Sequence, residues 1–128
     1  MYGPAVVRAS DLERVPGSPP RIIVDEEALT LFAPAIEKEG LSSELAYLLE
    51  KDGSTSYIDY LSACEREFNV PEQEYSIFLE LHRDLIREGL TKYAADSGIL
   101  SKYQWLRDYH NRTLQKQFGA DLCRHLRV

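Results

Sequence analysis

The chain has two cysteines, one tryptophan, one methionine and three histidines in 128 residues. Two cysteines as far apart as Cys64 and Cys123 exclude a disulfide framework, and both read as reduced thiols of a cytoplasmic protein. His82, His110 and His125 have no partner at metal-ligand spacing beyond the weak Cys123-x-His125 pattern. No phosphate-cradling glycine loop and no nucleophile elbow occurs, so no cofactor is expected and the chain is not read as an enzyme. No apolar run approaches the roughly 18 residues of a membrane span, and the first residues lack a signal-peptide pattern.

Positive charge is scarce, and it is also unevenly placed. Residues 1–100 hold 9 Lys and Arg against 19 Asp and Glu, a net of −10. Residues 101–128 hold 6 against 2, a net of +4. An acidic body argues against nucleic acid or an anionic membrane as the main partner, and a basic, aromatic tail is the more informative feature.

Residues 1–20 contain Pro4, Pro16, Pro19, Pro20, Gly3 and Gly17, and are expected to be an irregular arm with at most a turn at Ser10 or a short strand at Ala5–Val7. Arg21–Val24 is a β-branched run. Ala28–Phe32 is a second extended candidate, with Asp25-Glu26-Glu27 as the turn, and Ile36–Leu41 is a third. A rival reading makes residues 26–39 a helix capped by Asp25 and stopped by Gly40. An interior Pro34 would cost that helix about 3 kcal/mol, so strands are the expectation.

Three helices should follow. The first is capped at Ser42 or Ser43, carries Leu45, Leu48 and Leu49, and stops at Gly53. The second opens at Ser54, Thr55 or Ser56, carries Ile58, Leu61, Cys64 and Phe68 on one face, and stops near Asn69. The third begins at Pro71, places Glu72 and Glu74 at its positive end, and closes at Gly89. The fold expected is therefore α+β and winged-helix-like: a small three-stranded antiparallel sheet packed on three helices, followed by a C-terminal helical extension. That extension starts near Ser101 and carries Leu100, Tyr103, Leu106, Tyr109, Leu114 and Phe118 at helical spacing, with Gly119 as its stop.

The order of these features resembles the PqqD-like domains, also called RiPP recognition elements. The resemblance rests on Leu41-Ser42-Ser43 before a helix, Asp52-Gly53, the helix Tyr57–Phe68, the break Asn69-Val70-Pro71, and a last helix ending Glu88-Gly89-Leu90. It spans Leu31–Tyr93, about half the chain. It implies a peptide-binding domain over 21–93, which the arm 1–20 precedes and the extension 94–128, a departure from the family pattern, follows. It also implies a non-catalytic adaptor that presents a ribosomally made precursor, through its leader peptide, to a modifying enzyme with which it forms a heterodimer. Family members serve radical-SAM enzymes, cyclodehydratases, leader peptidases and multinuclear iron oxidative enzymes. The long extension favours the last. This sequence departs from the pattern in having a strand before Leu41 that is poor in apolar residues.

The competing class is a winged-helix regulator. The would-be recognition helix, residues 71–90, carries five acidic residues against Arg83 and Arg87, which would repel phosphates.

Two apolar stripes run along that helix. Ile77, Phe78, Leu81 and Leu85 are expected to face the core. Tyr75, Leu79, His82 and Ile86 form the second stripe, either a wider core face or, with Arg83 beside it, a groove wall. If the strand Ile36–Leu41 is an edge beside this helix, a peptide could add to it along Ile36, Glu37, Lys38, Glu39 and Gly40. In the tail, Tyr103, Trp105, Tyr109, Arg112 and Phe118 either fold back on the acidic body or dock on the partner enzyme, since these residue types anchor interfaces.

Overall fold

The structure, a computed structural model, describes residues 19–119 and 124–128. Residues 1–18 of the expected arm 1–20, and Cys123, lie outside the described residues. The chain is α+β, with a three-stranded antiparallel sheet in the order β1-β3-β2. It divides into two compact units, Met1–Tyr60 and Leu61–Val128. Residues 21–93, expected to form one domain, are thus shared between the two.

In the first unit β1 is Ile23–Val24, inside the expected run, and it pairs with β3. The other two expected strands, 28–32 and 36–41, are not strands: residues Glu26–Lys38 form helix α1. The rival reading wins because both ends are well closed. The Asp25 carboxylate accepts from the Glu27 amide, and Glu26 and Glu27 sit at the positive end of the helix. At the other end Gly40, at φ +70°, allows Leu41 N–H to reach Ile36 O at 2.9 Å while Gly40 N–H reaches Glu37 O at 3.1 Å. This paired closure, with glycine in the left-handed region, satisfies carbonyls that would otherwise be orphaned. Pro34 is tolerated inside the helix.

Helix α2, Ser42–Leu48, is shorter than expected, and neither Ser42 nor Ser43 caps it: the cap is Leu41, without a side-chain bond. It gives way to β2, Leu49–Asp52, which pairs with β3, Thr55–Ile58, in the register Asp52↔Thr55. Gly53, expected as a helix stop, instead closes a two-residue hairpin loop at φ +64°. The expected second helix is accordingly replaced by β3, a short helix α3 at Tyr60–Ala63, and a 3₁₀ turn at Cys64–Glu67.

In the second unit α4 begins at Pro71 as expected but runs through Gly89 to Lys92. Gly89 serves packing rather than termination, because a Cβ there would lie 2.1 Å from the Tyr103 ring. Helix α5 is Ser97–Phe118, capped by Asp96 rather than Ser101, and Gly119 at φ +80° ends it as expected. A 3₁₀ turn at Arg124–Leu126 follows.

The inward stripe of α4 is the reverse of the expectation. Tyr75, Leu79 and Ile86 are buried, while Ile77, Leu81 and Leu85 are 57–65% exposed. The tail helix decides this: α5 packs along the Tyr75 side of α4 and contributes Tyr109 and Leu114 to the same core. Two tyrosines also clamp the backbone of one residue, Leu61. The Tyr75 hydroxyl donates to Leu61 O at 2.6 Å, and the Leu61 amide donates to the Tyr109 hydroxyl at 3.1 Å. Both groups are buried, so these bonds remove what would be a desolvation penalty.

Candidate functional site

The first unit holds an apolar cleft of about 560 Å³ between α1, α2 and the sheet. Leu29, Ala33 and Ile36 of α1 face Leu45 and Ala46 of α2, with Leu49 of β2 at the floor. The spacing 29, 33, 36 is the helical repeat of a single face, which is how α1 presents these side chains together. Polar groups ring the cleft: Glu26, Glu37, Ser42, Lys51 and Ser56, of which the Ser56 hydroxyl donates to Glu26.

The cleft runs beside a sheet edge. Strand β2 is an outer strand in the order β1-β3-β2. The Asp59 amide donates to Leu48 O, continuing the β2–β3 register by one pair beyond Leu49↔Ile58. In an antiparallel ladder such pairs alternate, so Glu50 and Asp52 turn their backbone groups toward β3. Leu49 and Lys51 turn theirs outward. The Leu49 amide closes α2 on Leu45 O, leaving the Leu49 carbonyl and both backbone groups of Lys51 aimed away from the sheet. Leu49 and Lys51 also line the cleft, so edge backbone and apolar wall adjoin. On the opposite face Arg21 pairs with Asp52 and lies 5.7 Å from the Tyr57 ring centre, holding β1 and the hairpin together.

Of the residues expected to bind peptide, Ile36 and Glu37 line this cleft. Lys38 ends α1, Glu39 is its C-cap and Gly40 follows, so none of them lies on a strand edge. Tyr75, Leu79 and Ile86 are core residues of the second unit, and Ile86 with His82 also lines a smaller cleft of about 370 Å³ beside Tyr103 and Leu106. Leu29, Ala33, Leu45, Ala46, Leu49 and Lys51 were missed. The strand reading of 28–32 concealed the helical spacing of Leu29 and Ala33, and the helix expected to run to Gly53 concealed the strand edge at Leu49 and Lys51.

His82 and Arg83 sit in a different setting. The His82 and His110 rings stack with centroids 5.1 Å apart, and their Nδ1 atoms are 2.9 Å from each other. His110 Nε2 lies 2.7 Å from Leu126 O, which can only accept. In neutral His110 the proton is therefore on Nε2, its Nδ1 accepts, and His82 Nδ1 is the donor. Burial, and then the charge of His110, lowers the His82 pKa to about 4. Burial likewise lowers that of His110; Arg83 and Arg87 push the same way, and the Leu126 bond opposes them. Two neutral, paired imidazoles are a structural element here. Arg83 forms an ion pair with Asp84.

The expected docking residues of the tail mostly pack within the second unit. Tyr103 covers Gly89 and stacks on Tyr93 at 5.7 Å, Trp105 lies 5.1 Å from Tyr109, and Phe118 lies 6.0 Å from Tyr75. Tyr109 is buried and Arg112 exposed. The tail therefore folds back on α4.

Among the described residues no three His, Cys, Asp or Glu side chains gather as a metal-holding group, and no helix is long and apolar enough to cross a membrane. The fold and cleft define an α+β chain with an apolar groove at an open sheet edge. No family model matches the chain, and no curated protein or solved structure shows significant similarity to it.

Proposed function

We propose that this chain is a non-catalytic peptide-binding adaptor, which holds a precursor peptide for a separate modifying enzyme as the winged-helix-like leader-binding modules do. The observation that carries the reading is the cleft between α1 and α2 beside the outward backbone of Leu49 and Lys51. An extended peptide added antiparallel to β2 exchanges main-chain hydrogen bonds with Lys51 and gives one to the Leu49 carbonyl. Its alternate side chains then enter the space lined by Leu29, Ala33, Ile36, Leu45 and Ala46. Main-chain bonds supply affinity, and the apolar wall selects side chains at every second position. The resemblance over Leu31–Tyr93 supports the same class of ligand, although the edge used is β2 rather than residues 36–41.

A displayed library of random 12-residue peptides, selected on the intact chain, tests this. Enrichment of sequences with apolar residues at alternate positions is expected. Ala46→Glu, which puts a charge in the cleft, should weaken the selected peptides about tenfold or more. Lys51→Pro should do the same, since proline is tolerated on an outer strand but removes the outward N–H. Peptides that bind both folded variants as well as the parent would refute the site.

A further inference from the structure

The main chain of residues 124–128 is bonded at four successive points to side chains of the second unit. Three consecutive carbonyls are captured by side-chain donors. Arg83 donates to His125 O, His110 Nε2 donates to Leu126 O at 2.7 Å, and Arg87 donates to Arg127 O at 2.7 Å. The Val128 amide then donates to Asn111 Oδ1 at 3.0 Å. Arg83 and Arg87 are one turn apart on α4, and His110 and Asn111 are neighbours on α5, so the two helices hold the segment from two sides. Leu126 is 1% exposed, while Arg124, His125 and Arg127 on either side of it are exposed.

These four bonds use no side chain of the segment. They are made to groups that any sequence carries, and one buried position, Leu126, supplies the selectivity. This is the division of labour found where proteins take up peptides: backbone bonds for affinity and one pocket for identity. Ordinary C-terminal packing needs apolar side chains, and of the two here only Leu126 is fully buried, Val128 being half-buried. Side chains of α4 and α5 instead reach for successive carbonyls. Charge-assisted bonds from two guanidinium groups are among the stronger of their kind.

We propose that the groove between α4 and α5 is a second peptide site, and that its ligand is a leucine-bearing segment of a partner protein that takes the same single tight turn. Residues 124–128 occupy the groove in cis and compete with that ligand. The site is independent of the cleft in the first unit, and an adaptor requires two such surfaces. A tethered competitor acts at an effective concentration on the order of millimolar, so it suppresses weak ligands and yields to tight ones.

The test uses the full chain with Leu126→Asp, which prevents the resident segment from seating its leucine. The probe is an N-terminally labelled synthetic peptide with the sequence of residues 124–128, followed by fluorescence anisotropy. The peptide should bind the variant about tenfold or more tightly than it binds the parent chain. Replacing the peptide's leucine by alanine, or adding Arg83→Ala and Arg87→Ala to the Leu126→Asp chain, should abolish binding. Ala46→Glu should leave it unchanged, which separates this site from the cleft. A folded Leu126→Asp chain that shows no saturable binding overturns the proposal, as does equal binding to variant and parent. If the variant unfolds, excess peptide should restore its circular dichroism signal. Failure to restore it makes the segment a fixed part of the core and also overturns the proposal.

Discussion

Helices α1 and α2 of the first unit bury none of their residues, whereas α4 and α5 of the second bury four each. The first unit leaves Leu31 73% and Phe32 58% exposed and keeps an open apolar cleft. The second also exposes Ile77, Leu81 and Leu85 on the outer side of α4, but it packs Tyr75, Leu79, Ile86, Tyr109 and Leu114 into a core and satisfies Leu61 and Leu126 with buried hydrogen bonds. Removing a side chain from a closed core leaves a cavity, while trimming one in an open cleft leaves contact with water. Binding regions are drawn from the less stable part of a protein, and the stable part fixes the chain that carries them. The contrast predicts where substitutions will be felt.

The largest effect should come from the core of the second unit. Leu79→Ala should cost about 2–5 kcal/mol, while Leu45→Ala in the cleft should cost about 1 kcal/mol or less. Urea unfolding of both variants measures this, and equal costs would erase the contrast. Next is Gly89→Ala. Its Cβ would meet the Tyr103 ring, so a loss of about 1–3 kcal/mol is expected from overpacking. Tyr103→Leu in the same chain should recover part of it.

A third effect depends on pH. His82 has a folded pKa of about 4 against an ordinary 6.5, and the shift of His110 has the same direction. Between these values the unfolded chain binds the protons, so stability is complete above about 6.5 and falls as pH drops toward about 4. Thermal melts at pH 7 and pH 4.5 should show a loss that is smaller in His82→Gln. A loss undiminished in that variant would assign the pH dependence to other groups.

The smallest effect is Asp25→Ala, about 1 kcal/mol through the lost N-cap of α1. Amide exchange should rise in α1 and stay unchanged in α4. A uniform rise would mean that the two units open together.

The parts of the fold legible in the sequence are those fixed by local chemistry. Pro71 marks the start of α4, Gly119 the end of α5, and Ile23–Val24 the first strand. Elsewhere one local signal had two outcomes. Asp52-Gly53 serves equally as a helix end or a hairpin, and only pairing with Thr55–Ile58 decides. In α1 the closures at Asp25 and Gly40 outweighed Pro34, a balance that counting propensities does not give. The two stripes of α4 are about equally apolar, so which one turned inward depended on where α5 packed. The capture of residues 125–128 was illegible for a different reason. It acts on carbonyls, which every residue has, and no pattern of side chains announces it.

The most direct test of the adaptor reading is amide exchange, residue by residue, with a selected 12-residue peptide added to the intact chain. Protection should rise at the Lys51 amide and at residues of α1 and α2 that line the cleft, while Leu79 and Ile86 keep their values. Protection that appears along α4 and leaves Lys51 unchanged would contradict it.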